Sequence, residues 1–82
     1  MANSTSSALV IAQLRADIAS GHARRIRQQA RLSQAEVAQE LGVHWTTVAA
    51  WEAGRRVPRA DVAARYADLL WRLERLTRER AA

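Results

Sequence analysis

The chain has 82 residues, no cysteine and a net charge of +5. Every one of its thirteen basic residues is arginine. A chain this short forms one domain with a marginal core, for which help from a second subunit is plausible. The lack of cysteine excludes disulfide frameworks and thiolate metal sites and suits a reducing cytoplasm. His22 and His44 stand too far apart for a metal motif, so no metal or cofactor is expected. No apolar run reaches the ~20 residues of a membrane span. No nucleophile–base pair or phosphate loop with its lysine occurs, so the residues give no reason to expect an enzyme or a small-molecule substrate.

The charge is unevenly placed. Seven arginines and three glutamates fall between Arg24 and Arg59, which puts four of the five net positive charges there. Arginine forks match phosphate oxygens, so an acidic partner is one expectation.

Ala, Leu, Arg, Gln and Glu dominate and no stretch alternates with period two, so the chain reads as all-α. Residues 1–7 are small and polar and are expected to be flexible, with no secretory signal. A first helix is predicted over 8–20, capped by Ser6 or Ser7. Leu9, Val10, Ile11, Leu14 and Ile18 supply its apolar face. Gly21 breaks or bends it. A second helix carries Arg24 to Gln28 and ends near Arg31.

Ser33-Gln34-Ala35-Glu36 is a capping box, in which hydroxyl and carboxylate each satisfy an orphan amide. Leu32 and Val37 form the matching staple. This third helix ends at Gly42, a natural left-handed terminator. A three-residue turn follows, and a fourth helix is predicted over 45–53. His44 is a poor cap for it. Val48 and Trp51 face inward, which turns Trp45, Thr46, Ala49 and Ala50 outward. Gly54 ends this helix, and Arg55-Arg56-Val57-Pro58 forms a basic loop.

A last helix is predicted over 59–80. Val62, Tyr66, Leu69, Leu73 and Leu76 repeat every 3.5 residues, the seam of a helix packing along another. Its ~33 Å length exceeds what a compact four-helix domain covers. Trp71 lies off that seam, so it packs either on the first helix or on a second subunit.

Two short helices joined by a glycine-bearing three-residue turn make a helix-turn-helix, here over 33–54. The stretch LSQAEVAQELGVHWTTVAAWEAGRRVP resembles the lambda-repressor and Cro (XRE) class of helix-turn-helix over about Ala23 to Leu70. The resemblance implies a compact four- to five-helix DNA-binding domain, with an N-terminal helix and a long C-terminal helix added, as a single domain over 8–80.

It also implies roles. Trp45, Thr46 and Ala50 match positions facing base edges in the major groove. Gln34 matches a glutamine that holds phosphate at a helix N-terminus. Thr47, Arg55, Arg56 and Arg59 match phosphate-contacting positions, and Arg27 with Glu52 matches an interhelical salt bridge. The recognition helix departs from the family, because it lacks the Gln, Asn or Arg that form bidentate pairs with bases. Trp45 fits either sugar and thymine methyl contact or a protein-protein surface.

The resemblance implies a small phage or bacterial Cro-like repressor, in cytoplasm or nucleoid, binding a double-stranded operator as a homodimer. Candidate interface residues are Leu9, Leu14, Leu69, Leu70, Trp71, Leu73 and Leu76, on helices 8–20 and 66–80. The alternative is a protein-interaction module on the same fold, an antitoxin or anti-repressor.

Overall fold

A computed structural model describes residues 3–81, with side chains from Ala8 onward. Five helices follow in order: α1 (Asn3–Ser20), α2 (His22–Gln29), α3 (Gln34–Leu41), α4 (Trp45–Glu52) and α5 (Ala60–Ala81). Helix α1 starts earlier than the expected 8, so Ser6 and Ser7 lie within it and do not cap it.

Local chemistry explains where the middle helices end. Gly21 adopts φ 83°, a left-handed value that breaks the chain between α1 and α2 outright. Three helices then close with the same Schellman pattern, in which two successive amides return to carbonyls five and three residues back. At the end of α3, Val43 N donates to Ala38 O at 3.0 Å and Gly42 N to Gln39 O at 3.3 Å. At the end of α4, Arg55 N donates to Ala50 O and Gly54 N to Trp51 O. At the end of α2, Leu32 N donates to Arg27 O and Arg31 N to Gln28 O. Here the left-handed residue is Arg31, at φ 60°. A side chain in that conformation carries a backbone penalty that glycine would not.

All five helices feed one core. It contains Leu14 and Ile18 from α1, Ile26 from α2, Val37, Ala38 and Leu41 from α3, Val48 and Trp51 from α4, and Tyr66 and Leu70 from α5. Ala38 is fully enclosed, which lets α3 and α4 cross closely as its size predicts. The Trp51 and Tyr66 rings lie 5.1 Å apart at 31°, joining α4 to α5. The molecule measures 34 × 32 × 23 Å, so α5 runs its full length, and α1 packs along it to supply the cover a smaller domain lacks.

The inward stripe of α5 differs from the expected seam. Ala63, Tyr66 and Leu70 are buried, Val62, Leu69 and Leu73 pack at the margin, and Leu76 stands 45% exposed. The small Ala63 allows close approach, which rotates the stripe toward it and away from the outer leucines. On α1, three consecutive residues cannot share one face. Leu14 and Ile18 point inward, Ile11 packs at the edge, and Leu9 is 67% exposed. Leu14 and Leu70, expected as interface candidates, are core residues of the single chain.

Candidate nucleic-acid interface

The site is built outward from the start of α3. Glu36 N donates to Ser33 Oγ at 3.0 Å and Ser33 N donates to Glu36 Oε1 at 2.8 Å, so both halves of the capping box are made. The Ser33 contacts hold the Glu36 carboxyl below its ordinary value, first through the backbone amide. This cap fixes Gln34 as the first residue of α3, beside the positive end of the helix dipole.

Gln34 is also tied to the next helix. Its Nε2 donates to Glu52 Oε1 at 2.9 Å. The same carboxylate takes Arg27 Nε at 2.6 Å and Arg27 Nη2 at 2.8 Å, while Arg27 Nη1 donates to Leu32 O at 2.9 Å. The expected Arg27–Glu52 pair is therefore a bidentate fork, with side chains only 11% and 3% exposed. It joins α2, α4 and the turn before α3, and Gln34 adds α3. Burial pushes the Glu52 carboxyl up, but hydrogen bonds from Arg27 and Gln34, with the nearby Arg27 and Arg24 charges, bring it below its ordinary value. The Glu52 hydrogen bond raises Arg27 in turn. An amide nitrogen has two hydrogens, so Gln34 keeps one donor beyond the Glu52 bond.

Helix α4 presents its first turn outward. Trp45 is 51% exposed and Thr46 is exposed, whereas Val48 and Trp51 are buried and Ala49 and Ala50 half-buried. His44 is the N-cap: its Nδ1 accepts from Thr46 N at 3.3 Å and lies 2.7 Å from Thr46 Oγ1. The Thr46 hydroxyl thus already has one partner inside the cap. The His44 and Trp45 rings sit 6.0 Å apart.

The basic loop folds against this helix. Thr47, Arg56 and Arg59 line one cleft of about 380 Å³ with Val43, Trp51 and Val62. Three of the five expected phosphate-contacting residues thereby share one concavity, while Gln34 and Arg55 lie outside its lining. Pro58, whose ring fixes the loop, is buried. Sequence reasoning missed the Gln34–Glu52 bond and rated His44 too low. The first has no local signal across eighteen residues; the second had one in His44 directly preceding the helix. Among the described residues no group of side chains is arranged to hold a metal ion, and no helix is long and apolar enough to cross a membrane.

A capped helix, a glycine turn and a second helix with its first turn facing solvent, flanked by an arginine cleft, define a helix-turn-helix of the DNA-binding class. A family model described as helix-turn-helix matches residues 24–70, more than half the chain. The chain belongs to that family, the lambda-repressor and Cro type, whose members are DNA-binding transcription regulators. Among curated proteins and among solved structures no significant match was found.

Proposed function

We propose that this protein is a sequence-specific regulator of transcription, a small phage or bacterial Cro-like repressor acting as a homodimer in the host cytoplasm or nucleoid. The observation that carries the reading is that Thr47, Arg56 and Arg59 line one cleft beside the exposed first turn of α4. Cations and a hydroxyl concentrated next to a helix of groove-fitting size suit a phosphate backbone. In this reading α4 enters the major groove with Trp45, Thr46 and Ala50 toward the bases. Thr47, Arg55, Arg56 and Arg59 meet phosphates, and Gln34 meets another with its backbone amide and its remaining side-chain hydrogen.

With no bidentate reader in the first turn, base discrimination rests on methyl and hydroxyl contacts and on DNA shape. The test is selection of bound sites from a random duplex library, followed by titration at several salt concentrations. Enrichment of a two-fold symmetric site with half-sites ~34 Å apart supports the reading. Arg56→Ala and Arg59→Ala each weaken binding to all sequences and reduce the salt slope by about one, whereas Thr46→Ala changes the preferred site.

A second reading rests on Trp45. A half-exposed tryptophan at the head of a helix poor in polar readers suits a protein-docking face, as in an antitoxin or anti-repressor. Absence of any duplex binding at low salt selects this reading instead.

A further inference from the structure

A groove of about 570 Å³ runs between α1, α2 and α5. None of its lining residues belongs to α3, α4 or the arginine loop. Its floor is apolar, formed by Leu14, Ile26 and Leu70. It exists because α5 places two small residues, Ala64 and Ala67, on the turns before Trp71, so nothing fills the space beside the indole. The rim carries Asp17, Asp68 and Glu74, three of the chain's eight acids. No arginine lines it, in a chain with thirteen. Helix α1 and the stretch of α5 from Trp71 onward lie outside the residues matched by the family model.

The same face carries a plug. Trp71 is 56% exposed, and Arg75 lies over its ring at 4.9 Å. Arg78 follows one turn beyond Glu74, 3.8 Å from its carboxylate. The rim acids are held only by exposed or half-exposed contacts. Asp68 pairs with Arg72 at 3.0 Å, Glu74 also meets His22 at 3.2 Å, and Gln13 donates to Asp17 at 3.0 Å. Exposed pairs of this kind exchange partners at little cost.

We propose that this groove is the docking site for a second copy of the chain, with Trp71 of each copy seated on Ala64 and Ala67 of the other. A two-fold interface needs plug and socket on one patch, and here they adjoin. The charges fit as well: this face carries Arg75 and Arg78 beside the tryptophan and Asp17, Asp68 and Glu74 around the groove, so the arginines of each copy can meet the acid rim of the other. The inference rests on the proposed homodimeric regulator and names its interface, leaving both α4 helices free for DNA.

Sedimentation of the full chain without DNA, from low to several hundred micromolar, tests it. The native chain forms a dimer. Trp71→Ser and Ala64→Arg each weaken that dimer by about tenfold or more, with circular-dichroism melting unchanged at concentrations low enough that the native chain is monomeric, while Leu76→Ser, outside the groove, leaves it intact. A native chain that stays monomeric throughout overturns the proposal. So does a dimer indifferent to both groove substitutions, or one dissociated by Leu76→Ser. DNA binding is read separately on a single half-site duplex. A groove-dependent dimer that binds no duplex sinks the DNA reading alone. A chain that binds duplex but never self-associates sinks the groove and the homodimer and leaves the DNA reading standing.

Discussion

Glu52 receives both forks of Arg27, at 2.6 and 2.8 Å, across the gap between α4 and α2. The pair fixes the end of the outward-facing helix to the body of the molecule, and the Gln34 bond extends the restraint to α3. Removing the carboxylate leaves a nearly enclosed guanidinium unpaired. Glu52→Ala therefore costs about 3 kcal/mol in urea unfolding, whereas the paired change Arg27→Met with Glu52→Met recovers most of that loss, since it leaves no buried charge behind. Equal destabilisation by the single and paired changes would contradict this account.

The same carboxylate sets an acid response. Its folded-state value lies below the ordinary 4.5 despite burial. A depressed carboxyl stabilises the fold above its unfolded value and loses that contribution as pH falls through the folded one. Glu36 contributes with the same sign, so the comparison must isolate Glu52. Melting of native and Glu52→Gln proteins from neutral to acid pH is expected to show a gap that is constant above about pH 4.5 and narrows below it. A gap that widens in acid reverses the sign and refutes the argument.

Arg31 holds a left-handed backbone, φ 60°, where the equivalent ends of α3 and α4 use glycine. Its amide already makes the Schellman bond, so only the side chain opposes the conformation. Arg31→Gly should stabilise the protein by about 1 kcal/mol, the left-handed penalty less the entropy glycine adds to the unfolded chain. Gly42, at φ 72° with open space around its missing Cβ, predicts the reverse: Gly42→Ala destabilises by about 1 kcal/mol from backbone strain alone. Denaturant midpoints of the two variants moving in opposite directions is the expected result.

Tyr66 stacks against Trp51 but its hydroxyl is buried with no hydrogen-bond partner among the described residues. Burial, then the negative charge of Glu52, holds the phenol far above its ordinary value, so it stays protonated. An unpaired buried hydroxyl carries a desolvation cost that phenylalanine avoids. Tyr66→Phe is expected to raise stability by about 1 kcal/mol with DNA affinity unchanged. A clear drop in melting temperature would show that the hydroxyl makes a bond this account omits.

Sequence alone determined what depends on neighbours within one turn. The Ser33–Glu36 box, the Gly42 turn and the Gly54 stop are local, and the helices they bound follow from them. The order of those signals also marked out the helix-turn-helix, whereas the Arg27–Glu52 pair was implied only by the family resemblance. Tertiary structure decided what depends on neighbours far along the chain. Leu9, Leu14 and Leu70 look alike as letters, yet Leu9 is exposed and the other two are buried, because the α1–α5 crossing chooses which side of each helix faces inward. It also brought Gln34 to Glu52 and set Arg56 and Arg59 around one cleft with Thr47. Local periodicity says that a helix has an apolar side. Only packing says what that side meets, and which apolar groups, such as Trp71, it leaves exposed.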